Sequence, residues 1–200
     1  MTTRSKTQQL LALARRAGIL RARDLAGSRI PRTYLQRLVA QGVLERTGRG
    51  LYRLVEQEAS ENHSLAQACK RVPHGVVCLL SALRFHDLTT QAPFEVWMAI
   101  DVKARAPATG QPPLRIVRMS GEARTAAIEE HRIEGVTVRV YSTAKTIADC
   151  FKYRNKIGLD VALEALRDYR RVRGSMDDLW RFARTCRVAN VLRPYLEATA

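Results

Sequence analysis

Leu10, Leu13, Ala14 and Ala17 recur at intervals of three and four, so residues 7–17 read as an amphipathic helix that Gly18 is placed to end. Ala22–Ala26 reads as a second short helix with Leu25 turned inward, and Gly27-Ser28-Arg29-Ile30 as a turn leading to Pro31. Proline suits the first turn of a helix, where its missing N–H would have no partner anyway. A third helix is therefore predicted from Pro31 to Ala40, with Leu35, Leu38 and Val39 as its inward stripe and Arg32, Thr33, Gln36 and Arg37 on the opposite face. Val43–Arg46 and Leu51–Leu54 read as short strands joined by the turn Thr47-Gly48-Arg49-Gly50. Three helices and then a hairpin with an arginine at its tip form the pattern of a winged helix-turn-helix, whose third helix enters the DNA major groove while the wing reaches backbone or minor groove.

The pattern changes after Val55. Residues 56–63, with Glu56, Glu58 and Glu61, are polar and acidic and read as a linker between a first domain at 1–55 and a second at 64–200. In the second, Ser64–Arg71 and Ser81–His86 read as helical, and Val76–Leu79, Phe94–Ile100, Leu114–Arg118 and Val136–Tyr141 as strands. Gly121–Glu130 reads as a helix, and the Pro- and Gly-rich stretch Ala104–Pro113 as a mobile loop. Ser142 or Thr143 can cap a helix running through Phe151, followed by helices over Leu159–Arg171 and from Ser175 onward. The expected fold class is α+β: a winged helix-turn-helix followed by a larger α/β domain with a small mixed sheet and a helical C-terminus.

Charge sharpens this division. The 200-residue chain carries a net charge of +15. Residues 1–55 hold twelve bases, all but one of them Arg, against the two acids Asp24 and Glu45, a surplus of ten. A positive field alone suits any anionic partner, including an acidic protein or a membrane surface. Concentrated on the third helix, the turn before it and the wing, it points to double-stranded DNA. Arg32, Gln36 and Arg37 are the candidates for reading base edges, since Arg matches guanine O6/N7 and Gln matches adenine N6/N7. Arg29, Thr33, Tyr34, Arg46 and Arg49 are candidates for phosphate contacts that fix register. For Tyr34 a second reading stands beside the first, because it lies one turn before Leu38 and can complete the helix packing. Helix-turn-helix bundles also serve as protein-interaction modules, and exposed arginines can be no more than a solvated face.

Two sets of residues carry a family resemblance. Arg32-Thr33-Tyr34-Leu35-Gln36-Arg37-Leu38-Val39, Gly42-Val43-Leu44-Glu45-Arg46 and Gly48-Arg49-Gly50-Leu51-Tyr52 resemble the recognition helix and wing of the AbiEi-like antitoxins, transcriptional regulators of bacterial type IV toxin–antitoxin and phage-defence operons. Val138-Arg139-Val140-Tyr141-Ser142-Thr143-Ala144-Lys145-Thr146-Ile147-Ala148-Asp149 resembles a strand, turn and helix in that family's C-terminal domain, although Thr143 stands where members commonly carry proline. The resemblance implies a repressor that binds an inverted repeat in its own promoter. It also implies a functional partner, a nucleotidyltransferase-like toxin encoded alongside, which such an antitoxin counters with or without gripping it directly.

Enzymatic motifs are sparse. Asp101 and Lys103 at a predicted strand end, with Asp87 upstream and Glu95 nearby, offer a faint acid…acid-x-Lys pattern of a Mg²⁺-dependent nuclease, against the plainer reading of loop solvation. His63, His74, His86 and His131 have no metal-ligand spacing, and no phosphate-binding or nucleophile-elbow motif occurs. No catalytic residue, metal or cofactor is expected. Cys69, Cys78, Cys150 and Cys186 are widely spaced and read as buried free thiols. Lys145 and Asp149 read as an ordinary i,i+4 ion pair. The run Arg167, Arg170, Arg171 and Arg173 is either a solvated helix face or a second basic surface that lengthens a DNA footprint. With neither a membrane-length apolar run nor a signal-peptide pattern, the expected compartment is the cytoplasm.

Overall fold

A computed structural model describes residues 5–198. The chain forms two compact units. The first comprises residues 5–73 together with Pro107–Pro113 and Arg132–Val138, and the second comprises His74–Ala106, Leu114–His131 and residues 139–198.

In the first unit, α1 (Lys6–Ala17) opens with a reciprocal cap: Ser5 Oγ accepts from the Gln8 N–H at 3.2 Å, and Gln8 Oε1 accepts from the Ser5 N–H at 3.0 Å. It ends at Gly18, whose positive φ of 61° and contact with the Glu134 carbonyl leave no room for a Cβ. A two-residue strand β1 (Leu20–Arg21) and a 3-10 turn (Ala22–Leu25) lead through the Gly27–Ile30 turn to α2 (Thr33–Ala40). The hairpin of β2 (Leu44–Gly48) and β3 (Leu51–Leu54) follows, with a bulge between Arg46 and Gly48, and β1 pairs antiparallel with β3 to give the strand order β1-β3-β2. Leu10, Ala14, Leu20, Leu25, Ile30, Leu35, Leu38, Leu44 and Leu54 form one buried cluster. α1 and α2 contribute Leu10, Ala14, Leu35 and Leu38 from their predicted stripes, with Leu13, Ala17 and Val39 partly buried against the cluster, and removing such side chains from water is what holds these short pieces together.

Residues 56–63, expected as a linker, lie inside this unit and lead to α3 (His63–Arg71). They are tied down at Ser60, whose N–H and hydroxyl both donate to Glu134 Oε1, at 2.7 and 2.8 Å.

The second unit is built on a mixed sheet of β4 (Val76–Val77), β5 (Val96–Asp101), β6 (Leu114–Met119), β7 (Ile128–Ile133) and β8 (Val136–Tyr141), in the order β6-β5-β4-β8-β7. β4 is antiparallel to β5 and parallel to β8, and β5 is parallel to β6. A parallel neighbour obliges the chain to cross back before pairing, which is the work of the loop between Asp101 and Leu114. Against the sheet core pack α4 (Leu79–Phe85), α6 (Thr143–Lys152), α8 (Leu159–Arg171), α9 (Met176–Thr185) and α10 (Ala189–Ala198), with the single turns α5 (Glu122–Thr125) and α7 (Arg154–Ile157) between them. Ser142 caps α6 through the Lys145 N–H at 3.5 Å.

Other stretches also differ from the sequence reading. Where a helix was expected over Gly121–Glu130, only Glu122–Thr125 is helical: Ala127 takes a left-handed φ of 55° and Ile128–Ile133 is the edge strand β7. An edge strand carries charged residues on its open side, so Glu129, Glu130 and Arg132 hid its apolar alternation. The expected mobile loop is also held at its middle, where Arg71 donates to the carbonyls of Ala108 (2.7 Å), Gly110 (3.0 Å) and Pro112.

Candidate nucleic-acid interface

The eight candidate residues fall on the turn before α2, on α2 itself and on the β2–β3 hairpin. Because Leu35 and Leu38 face the core, the helical period turns Thr33, Gln36 and Arg37 to solvent. Tyr34 is half-buried and packs against the core cluster, which is the packing reading; its ring also lies under the Arg37 guanidinium, 4.3 Å from the centroid. Arg37 further donates to Thr7 Oγ1 on α1 at 2.8 Å. Arg32 is exposed at the residue preceding α2.

Arg29 is exposed with a left-handed φ of 55°, in a turn that Ser28 fixes by donating to the Leu25 carbonyl (2.7 Å) and accepting from the Ile30 N–H (3.3 Å). On the hairpin, Arg46 is exposed and its Nε donates to the Gly48 carbonyl at 3.2 Å, while Arg49 is exposed at the tip beside Gly50, whose φ is 71°. Arg53, one of the twelve N-terminal bases, is half-buried, pairs with Glu45 across the hairpin and donates to the Gln57 carbonyl at 3.1 Å. Arg15 pairs with Glu56 at 3.2 Å. These two neutralised arginines contrast with Arg29, Arg32 and Arg49, which enter no ion pair among the described residues.

Arg32 and Arg49 line one groove together with Arg21, Arg23 and Arg71; the other six candidates lie outside it. Arg21, Arg23 and Arg71 were not among the candidates read from the sequence. Arg21 lies in a strand too short to show an alternation, and Arg71 precedes the long crossover loop it binds by more than thirty residues.

The nuclease candidates are dispersed in their interactions. Asp101 ends β5, accepts from the Lys103 N–H at 2.9 Å and pairs with Arg124 at 3.2 Å; Lys103 and Asp87 are exposed, and Glu95 stands 4.0 Å from Arg115. No group of three or more His, Cys, Asp and Glu side chains among the described residues is arranged to hold a metal ion.

The second unit hides its polar chemistry. Lys145 and Asp149 are 2.5 Å apart and are 0% and 1% exposed, so the i,i+4 pair read from the sequence is buried rather than on a surface. Lys145 also lies 4.2 Å from the Tyr141 ring centroid, and the Cys186 thiol donates to Asp149 Oδ1 at 3.3 Å. Burial raises the Asp149 carboxyl above its ordinary range, against the pull of Lys145's charge and hydrogen bond. All four cysteines are buried and none forms a disulfide. Of the Arg167–Arg173 run, Arg171 pairs with Asp168 at 3.1 Å and Arg167 and Arg173 are exposed.

Residues 8–55 match the family model of the transcriptional regulator, AbiEi antitoxin. The AbiEi match runs from α1 through the end of β3, and all eight candidate residues fall within it. No curated protein compared with the chain matches it. Among the described residues, no helix is long and apolar enough to cross a membrane.

Proposed function

We propose that the chain is a sequence-specific, double-stranded-DNA-binding transcriptional repressor, and the antitoxin of a toxin–antitoxin operon whose promoter it controls. The observation that carries this reading is co-location. Within the segment that matches the AbiEi antitoxin regulators, Arg29, Arg32 and Arg49 stand exposed and unpaired at the turn before α2, at its start and at the hairpin tip. In a winged helix-turn-helix spanning residues 1–55, these are the places that meet DNA.

On this reading α2 is the recognition helix. Arg32, Gln36 and Arg37 address base edges in the major groove, where a bidentate pair discriminates by about 1–3 kcal/mol. Arg29, Thr33, Tyr34, Arg46 and Arg49 set register through phosphates, with Arg49 carried to the backbone by the wing. Tyr34 does so while also packing on the core and supporting Arg37. The larger domain beyond residue 63 carries the rest of the antitoxin function against a nucleotidyltransferase-like toxin, in the cytoplasm. DNase footprinting of the full chain on its own promoter tests the reading. Protection of an inverted repeat is expected, and uniform protection at all concentrations would contradict sequence specificity.

A further inference from the structure

Arg21 is 8% exposed on β1, and its Nη2 is enclosed with no hydrogen-bond partner. Taking an ionised guanidinium out of water is costly unless its donors are met, and a buried donor left unmet in a folded chain calls for a specific reason such as a bound ion. Its own acidic neighbour does not supply the partner. Asp24 accepts from the Arg21 backbone N–H at 3.0 Å and pairs with Lys70 at 2.8 Å, so its carboxylate is already engaged.

The Arg21 side chain lines a groove of about 380 Å³ whose walls hold four further arginines, Arg23, Arg32, Arg49 and Arg71, and no carboxylate. Arg71 is spent on the carbonyls of Ala108, Gly110 and Pro112, and by holding that loop it makes Pro107, Ala108 and Thr109 one wall of the groove. Arg23, Arg32 and Arg49 enter no ion pair among the described residues. Like charges gathered without a counter-charge repel one another and focus a strong positive potential into the space between them.

We infer that this groove is a phosphate-binding site, with the Arg21 and Arg49 side chains as its principal donors and Arg23 and Arg32 completing the positive field. The planar fork of Arg matches phosphate oxygens two at a time, and a cluster of forks suits a group carrying several such oxygens better than a lone carboxylate. The volume holds a diphosphate or a short run of nucleic-acid backbone. The phosphoryl group belongs either to the DNA backbone between the start of α2 and the wing, in which case the inference rests on the DNA-binding reading, or to a free phosphorylated molecule, in which case it stands without it.

Full-length wild type, Arg21→Gln and Arg23→Gln are compared in two arms. One is fluorescence-anisotropy titration with duplex DNA over a range of salt, and the other is thermal unfolding with added inorganic pyrophosphate at low chloride. For a backbone phosphate, Arg21→Gln weakens every duplex alike by about tenfold and lowers the log–log salt slope by about one, leaving base preference intact and pyrophosphate without effect. For a free ligand, pyrophosphate raises the Tm of wild type and not of Arg21→Gln, and DNA affinity is unchanged. Arg23 is exposed and stands outside the proposed DNA-contact set, so Arg23→Gln distinguishes the same two outcomes should Arg21→Gln fail to fold. Folded variants that equal wild type in both arms overturn the inference. Pyrophosphate stabilisation that depends on Arg21, in a chain that binds no duplex, would sink the DNA-binding reading and uphold this one.

Discussion

The Arg37 guanidinium lies 4.3 Å over the ring of Tyr34 and donates to Thr7 Oγ1 at 2.8 Å. A long side chain held in this way has given up much of its rotamer freedom before any partner arrives, which lowers the entropy cost of an interface that uses it. Arg37→Ala is therefore expected to cost about 1–3 kcal/mol of DNA affinity, concentrated at one base position. Tyr34→Leu, which keeps an apolar side chain on the core, should weaken binding less and leave the base preference in place. Competition titrations against operators changed one base pair at a time separate these outcomes. A preference profile untouched by Arg37→Ala would remove that residue from the reading set.

The buried Lys145–Asp149 pair yields a stability prediction. Removing one partner leaves the other charge enclosed and unmatched, so Lys145→Met or Asp149→Leu alone should cost about 3–5 kcal/mol. Replacing both should recover most of the loss, since a well-packed apolar pair dispenses with the desolvation of two charges. Urea unfolding of the two single variants and the double variant measures this. Losses that simply add would show that the pair is not coupled.

Glu134 supplies a pH dependence. Burial pushes its carboxyl up, but the His63 side chain, 2.6 Å away, and two hydrogen bonds from Ser60 outweigh that and bring it below its ordinary value. A carboxylate depressed on folding contributes stability that is fully present above its unfolded value of about 4.3. That contribution drains away as pH falls through the lower folded value. The Tm of Glu134→Gln should thus lie below wild type near neutral pH, with the gap closing as the solution is taken below pH about 4. A constant gap across the acid range would assign the effect to packing alone.

Thiol chemistry separates the native and unfolded states. Burial pushes Cys78 and Cys150 well above the ordinary thiol range and Cys186 up to about 12, so little thiolate forms at neutral pH. A disulfide-exchange reagent such as DTNB should leave the native protein unmodified over minutes and titrate all four cysteines in denaturant. Rapid reaction of any thiol in the native protein would show that its burial is transient.

Much of the first unit was legible in sequence because its helices and hairpin carry apolar stripes at the helical and strand periods. The inward faces at Leu10 and Ala14, at Leu35 and Leu38, and at Leu44 and Leu54 all meet in the core cluster. Elements without a periodic signature were not legible. β1 has two residues, too few to alternate, and the edge strand β7 presents Glu129, Glu130 and Arg132 where a buried strand would present apolar residues. The groove around Arg21 depends on contacts between segments far apart in the chain, Arg71 with the 107–113 loop above all. Local pattern holds no trace of such contacts. The same limit applies to Lys145 and Asp149, whose spacing announced the ion pair but not its complete burial.

The most direct measurement of the central claim is anisotropy titration of the full chain with a duplex from the region upstream of its own gene and with a scrambled duplex of equal length, at several salt concentrations. The expected result is an affinity for the upstream duplex at least about a thousand times higher. Both affinities should fall steeply and linearly in log–log coordinates with salt, as counterions are released from several phosphates. Equal affinity for the two duplexes, or no binding at low salt, would contradict it.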